Sequence, residues 1–187
     1  MEKADELKII EQVKKGDLLA FRLLVDKYKT LAFHIGMQIV RNAEDAEEIA
    51  QDAFLKTYQS IDKFKGESKF STWFYRIVFN LAVSKTRKKR IETSDIDEVE
   101  ISDYEIAEAY EEFTTLEEEE RSQQLKHAIE KLKEEESLII TLFYLNENSV
   151  EEISEITELS VSNVKVKLHR TRKKLFQILS EQKMIEK

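Results

Sequence analysis

The sequence predicts an all-α protein. It has no proline and only three glycines among 187 residues, so few positions interrupt a helix. Along most of the chain, apolar residues recur at spacings of three and four, which is the period of an amphipathic helix. The chain has no βαβ pattern, no phosphate-binding glycine loop and no internal repeat. We therefore expect nearly every ordered segment to be an α-helix.

The distribution of charge divides the chain into three parts. Residues 91–120 hold fourteen acidic residues and no Lys or Arg, whereas the rest of the chain holds 24 acidic and 30 basic residues. Such an acidic segment buries little apolar surface and is typical of a flexible linker. We predict two small helical domains, residues 1–90 and 121–187, joined by this linker over 91–120. Both flanking parts are basic enough to approach nucleic acid, although the net charge of the chain is −8.

Composition also limits the class of protein. The absence of cysteine excludes disulfides, thiolate catalysis and Cys-based zinc sites. No stretch resembles a signal peptide or an apolar transmembrane span. We expect a cytoplasmic protein that does not insert into a membrane.

The first domain is predicted to contain four helices. Gly16 and Asp17 interrupt the apolar pattern after the first helix, and Asn42 suits the N-cap of the third. A loop containing Gly66 precedes the fourth helix. The predicted helices cover residues 5–15, 18–40, 43–61 and 70–90.

The fourth helix combines aromatic, amide and basic side chains. Trp73, Tyr75, Arg76, Phe79 and Asn80 lie close together on it, and five of its last six residues are basic. Exposed rings stack on unpaired bases while Lys and Arg hold phosphates, so this helix suits single-stranded DNA. The alternative is that Trp73 and Phe79 are ordinary core residues. The residues alone leave both interpretations open.

A helix-turn-helix pattern occupies the second domain. Two helices, around Leu125 to Leu132 and Leu138 to Phe143, supply its supporting core. Ser149 caps a short helix with an apolar face, and Ser160 caps a longer one after a turn. The turn has no glycine, so we expect Glu158 or a neighbour to adopt a strained left-handed conformation.

The second helix of this pattern has one apolar and one basic face. From residue 163 to residue 174 it contains six Lys or Arg and no acid, as a helix beside DNA phosphates requires. The alternative is a solvated helix that touches no DNA. Val164, Leu168, Thr171, Leu175 and Ile178 are predicted to face inward, and Ser162, Lys165, Val166, His169, Arg170 and Lys173 outward.

Three segments in this order resemble bacterial extracytoplasmic-function (ECF) sigma factors, group IV of the sigma-70 family of RNA polymerase initiation subunits. They are NAEDAEEIAQDAFLKTYQSIDKF (42–64), KGESKFSTWFYRIVFNLAVSKTRKK (65–89) and VEEISEITELSVSNVKVKLHRTRKKL (150–175). The likeness extends from about Leu18 to Leu179. It implies a region 2-like helical bundle and a region 4-like helix-turn-helix domain.

The resemblance also implies partners. A helix of the first domain would bind a coiled coil in the largest catalytic subunit of core RNA polymerase, and the protein would also meet the polymerase flap. An anti-sigma factor would hold it inactive. The implied polymerase-binding residues are Asp45, Glu48, Gln51, Asp52 and Leu55.

The remaining implied residues bind promoter DNA, both single- and double-stranded. Lys65, Glu67 and Ser68 would line a pocket for a flipped base of the −10 element; Trp73, Tyr75, Arg76 and Asn80 would support the pocket or contact the strand; and Lys85, Arg87, Lys88 and Arg90 would hold its phosphates. At the −35 element, Ser162, Lys165, Val166, Lys167 and Arg170 would lie nearest the bases and Arg172, Lys173 and Lys174 nearest the phosphates.

Other classes of protein explain less of the sequence. A stand-alone helix-turn-helix transcriptional regulator would dimerise on paired half-sites, and would leave Asn42 to Arg90 unexplained. An enzyme would need a catalytic constellation, whereas His34, His127 and His169 lie on separate predicted helices without metal-ligand spacing. We expect no catalytic residue, metal or cofactor.

Overall fold

The computed structural model describes residues 3–89 and 118–185, and within these ranges the chain forms eight α-helices and no strand. This confirms the predicted all-α fold. The helices are α1 (Lys3–Lys14), α2 (Leu18–Val40), α3 (Ala43–Ser60), α4 (Phe70–Lys89), α5 (Glu118–Glu130), α6 (Glu134–Ile140), α7 (Val150–Thr157) and α8 (Val161–Ile185).

The described residues form two compact units. One comprises residues 3–89 with 151–159, and the other residues 118–150 with 160–185. The predicted acidic linker lies outside the described residues except for 118–120, which open α5.

The boundaries of α2 and α3 follow from their caps. Oδ1 of Asp17 accepts hydrogen bonds from the backbone N–H groups of Leu19 and Ala20 at 2.8 and 3.1 Å, so α2 begins at Leu18. The side chain of Asn42 accepts from the backbone N–H of Asp45 at 2.9 Å and starts α3. Both starts agree with the sequence prediction.

Helix α2 is the central element of the first unit. It packs against α1, α3 and α4. A Cβ placed on Gly36 would lie 3.3 Å from the backbone O of Ala46, so glycine permits the close approach of α2 and α3. The buried stripe of α2 consists of Ala20, Leu24, Tyr28, Ala32, Ile35, Gly36 and Ile39.

A buried carboxylate ties α1 to α2. Glu6 is 9% exposed and accepts hydrogen bonds from the Tyr28 hydroxyl and the Lys27 ammonium, both at 2.5 Å. Burial, together with this carboxylate, raises the pKa of Tyr28 well above its usual value. The hydroxyl therefore remains a hydrogen-bond donor at any physiological pH.

The second unit has its own apolar core, formed by α5, α6 and α8. Ala128, Ile129, Leu132, Ile140, Leu175 and Leu179 are its buried members. Helix α6 ends at Ile140, and a π-helical turn, Thr141–Leu145, continues it. This wider turn closes through a hydrogen bond from the Asn146 N–H to the Thr141 carbonyl at 3.1 Å.

Nowhere in the described ranges is there a helix both long and apolar enough to cross a membrane.

Candidate nucleic-acid and protein interfaces

The outward face of α3 carries all five residues implied to bind core polymerase. Glu48, Gln51, Asp52 and Leu55 are exposed and Asp45 is half-buried. The opposite face is buried and contains Ala46, Ile49, Ala50, Ala53 and Thr57. The two sets separate because residues three and four apart share one side of a helix. We call the outward set the acidic strip of α3.

One residue predicted to bind phosphate lies against this strip. The Lys85 ammonium is 2.6 Å from Oε2 of Glu48 and 3.0 Å from Oδ1 of Asp45. Hydrogen bonds to Glu48 and then Asp45 raise the pKa of Lys85. Lys85 reaches these carboxylates because α4 packs along α3 and brings its last turns beside the first turn of α3. Its role in holding DNA phosphates stays a prediction.

The loop implied to form the −10 pocket is anchored at both ends. Phe64 and Phe70 are buried, and their ring centroids are 5.6 Å apart. Gly66 has a φ of 76°, a conformation that favours glycine at the turn. Lys65 and Glu67 are exposed, whereas Ser68 is half-buried. The loop thus presents polar side chains from a rigid base.

Most rings of α4 belong to the core. Trp73 is half-buried, and its ring centroid lies 5.5 Å from that of Phe64. Tyr75 is only 5% exposed and lies against Tyr28 and Phe74. Direct contact between Tyr75 and a DNA strand is therefore wrong for this structure, and only a supporting role is left to it. Phe79 is half-buried too, so Trp73 and Phe79 each pack against the core and keep part of the ring at the surface.

Arg76 and Asn80, both implied to meet the DNA strand, hold a carboxylate within the first unit. Nη2 and Nε of Arg76 donate to Oε1 of Glu158 at 2.8 and 3.2 Å. The hydrogen bond and charge of Arg76, with a further hydrogen bond from Asn80, lower the pKa of Glu158. Lys69 is not among the site residues that the sequence implied, and its ammonium lies 2.9 Å from a carboxylate oxygen of Glu152. The only sequence feature that pointed to Lys69 is its position directly after the loop.

The end of α4 is described in part. The backbones of Arg87 and Lys88 belong to α4. Their side chains, and Arg90 entirely, lie outside the described residues. The phosphate-binding roles of these three residues stay predictions.

The turn before α8 has the predicted geometry. Glu158 has a φ of 61°, the left-handed conformation expected in the absence of glycine. The Ser154 hydroxyl donates to the Leu159 carbonyl at 2.6 Å. Ser160 caps α8, since its Oγ accepts from the backbone N–H of Asn163 at 3.2 Å.

Helix α8 presents most of the residues implied to read the −35 element. Ser162, Lys165, Val166, Arg170 and Arg172 are exposed, Lys173 is half-buried, and Val164, Thr171 and Leu175 are buried as expected. These exposed side chains form the outer face of α8.

Two lysines implied to contact the −35 element form ion pairs with α6. Lys167 pairs with Glu135, and Lys174 with Glu136, each at 2.8 Å. The roles of Lys167 at bases and Lys174 at phosphates stay predictions, and DNA binding by either lysine would have to break an ion pair within the chain. The packing of α6 on α8 brings the acidic first turn of α6 to these ammonium groups.

Two stretches of the chain match known families of transcription initiation factor. The Sigma-70 region 2 family matches residues 24–91, and the Sigma-70 region 4 family matches residues 122–175. Together these matches define a sigma-70 class protein.

Curated relatives narrow the class. The chain is 36% identical over 174 residues to the ECF RNA polymerase sigma factor SigW of Bacillus subtilis, covering 90% of this chain and 93% of the relative. It is 34% identical over 170 residues to the ECF RNA polymerase sigma-E factor of Escherichia coli K12, covering 88% of each. The chain belongs to the ECF family of RNA polymerase sigma factors. It is a transcription initiation factor that binds core RNA polymerase and directs it to promoters.

Solved structures share the fold. CnrH, solved in complex with the cytosolic domain of CnrY, aligns with a TM-score of 0.64 and 22% identity, over 95% of this chain and 98% of that one. The sigma factor RpoE of Bartonella quintana, solved with the anti-sigma factor NepR, aligns with a TM-score of 0.62 and 19% identity, over 86% and 96%.

Proposed function

We propose that the acidic strip of α3 is the surface by which this sigma factor holds core RNA polymerase. The observation that supports this most is the shared outward face of Glu48, Gln51, Asp52 and Leu55 opposite a buried stripe. Leu55 is 57% exposed, which gives the charged strip an apolar contact point. A coiled coil with basic side chains and an apolar seam would complement both features.

The loop at residues 65–68 and the exposed side of α4 are proposed to hold the non-template strand of the −10 element. A flipped base would enter beside Lys65, Glu67 and Ser68, supported by the rings of Phe64, Phe70 and Trp73. Opening a few base pairs costs a few kcal/mol, and stacking of about 1–3 kcal/mol per base offsets it. Melting would thus proceed by binding alone, without catalysis.

The outer face of α8 is proposed to enter the major groove of the −35 element. Ser162, Lys165 and Arg170 carry hydrogen-bonding groups that reach base edges, while Val166 offers an apolar contact to a thymine methyl. Arg172 and Lys173 lie one turn further along the helix, where backbone phosphates follow. The groups on this face suit DNA better than a protein core.

Regulation is proposed to come from an anti-sigma factor. RpoE of Bartonella quintana was solved with such a partner, NepR, and shares this fold. A partner that covers the acidic strip of α3 would exclude core polymerase by competition. We place both proteins in the cytoplasm, where polymerase acts.

Run-off transcription tests the proposal. Purified protein and core polymerase are combined on the DNA upstream of the protein's own gene, and the start is mapped. The double variant Asp52→Asn/Glu48→Gln removes two negative charges from the acidic strip of α3. It should lose both core polymerase binding and the transcript. A wild-type protein that binds this DNA as a dimer but never binds core polymerase would instead favour the stand-alone regulator.

A further inference from the structure

Lys85 joins two surfaces to which the proposed function gives different partners. The carboxylates of Asp45 and Glu48 belong to the acidic strip of α3, which meets polymerase. Lys85 itself lies on the last turns of α4, beside the basic residues proposed to follow DNA phosphates. In the free protein these oppositely charged groups bind each other, at 3.0 and 2.6 Å.

The contact opposes the binding of a partner to either surface while it lasts. The side chain of Lys85 is 24% exposed and that of Asp45 is 18% exposed, whereas that of Glu48 is 65% exposed. A lysine between two carboxylates has little capacity left for a phosphate. Likewise, a carboxylate neutralised by an internal ammonium attracts a cationic partner less strongly.

From this we infer that Lys85 couples polymerase binding to single-strand DNA binding. In the free protein it pairs with Asp45 and Glu48. When a cationic surface of core polymerase takes those carboxylates, the Lys85 ammonium is released to a phosphate of the melted strand. The inference rests on the proposed function of the two surfaces.

The chemistry of lysine suits this exchange. Its ammonium is a compact charge at the end of a flexible four-carbon stem, so it can change partners without movement of α4. An arginine would hold the carboxylates in a planar fork and be released less readily. Linkage then requires reciprocity. If polymerase binding strengthens DNA binding by some factor, DNA that binds Lys85 strengthens polymerase binding by that same factor.

The expected effect is modest, because the contact is partly exposed. Pairs of this kind change an equilibrium by about two- to fivefold. Replacing Lys85 by methionine removes one internal cation from the two carboxylates, so affinity for core polymerase should rise by about that factor. In this variant, single-stranded DNA should also strengthen core polymerase binding less than in wild type, by the same factor.

Fluorescence titration of the labelled protein with core polymerase tests this. Wild type, Lys85→Met and Lys85→Arg are each titrated with and without a saturating oligonucleotide of the non-template promoter strand mapped by run-off transcription. Lys29→Met is the matched control, since Lys29 forms a 2.9 Å ion pair with Asp26 on α2, outside both surfaces. Thermal melting is recorded for each variant.

The inference predicts that only Lys85→Met binds core polymerase more tightly than wild type, and that the oligonucleotide strengthens its core binding about two- to fivefold less. Lys29→Met should behave as wild type. Lys85→Arg should retain the coupling between core polymerase and the oligonucleotide. Core binding unchanged or weakened in Lys85→Met would overturn the inference; a lower melting temperature would then identify Lys85 as a structural clamp. If wild type itself fails to bind core polymerase, the proposed function falls, and the inference with it.

Discussion

Phe74 is the residue whose truncation should damage the first unit most. Its side chain is fully buried at 0% exposure. Its ring centroid lies 4.8 Å from that of Phe54, 5.7 Å from Tyr28, and 6.1 Å from both Phe70 and Tyr75. The ring therefore connects α2, α3 and α4.

The magnitude follows from this packing. Phe→Ala substitutions in a core cost about 3–5 kcal/mol, from lost transfer energy and the cavity left behind. The number of ring neighbours places Phe74→Ala near the upper end, since each aromatic pair adds about 0.5–1.5 kcal/mol beyond burial. In a unit of this size the loss should lower the melting temperature by about 15 °C or more.

The assay is urea and thermal unfolding followed by circular dichroism, with Phe33→Ala as the matched control. Phe33 is half-buried, and its ring centroid lies 5.9 Å from that of His34. Its loss should cost about 1 kcal/mol, in the common range for partly exposed sites. Equal losses for the two variants would refute the assignment of Phe74 to the centre of this core.

Three further predictions concern a cap, a titration and the DNA face. Asp17→Ala should destabilise the first unit by about 1 kcal/mol in urea unfolding, whereas Asp17→Asn, which keeps the acceptor, should cost less. Because Arg76 lowers the pKa of Glu158, their contact should persist above the ordinary value of 4.5 and be lost as pH falls through the lowered pKa. Carboxyl NMR should show that pKa return toward 4.5 in Arg76→Met, and no change would contradict the pairing. Arg172→Met should weaken promoter binding by the holoenzyme and reduce its salt slope by about 0.9, while Lys126→Met on α5 leaves the slope unchanged.

Features that depend on neighbours in sequence were predictable. Asp17, Asn42 and Ser160 each start a helix as the capping rules require, because a capping side chain and the backbone N–H that donates to it lie within three residues. The left-handed Glu158 followed from a turn without glycine. The outward residues of α3 and α8 followed from helical periodicity.

Roles that depend on ion pairs between helices were not predictable. Lys85 meets Glu48, 37 residues earlier, and Arg76 meets Glu158, 82 residues later. A basic residue in sequence looks available to DNA until the packing of helices supplies it with a carboxylate. Tyr75 shows the same limit for rings, because its burial depends on α2.

The sequence by itself determined the helical class, most helix boundaries and, through three ordered segments, the family. These are local properties, set by periodicity, capping groups and the absence of chain breakers. Only the tertiary structure decided which charged side chains stay open to a partner and which are paired within the chain. The reason is geometric: an ion pair requires atoms within about 4 Å, and the packing of helices brings distant residues to that distance.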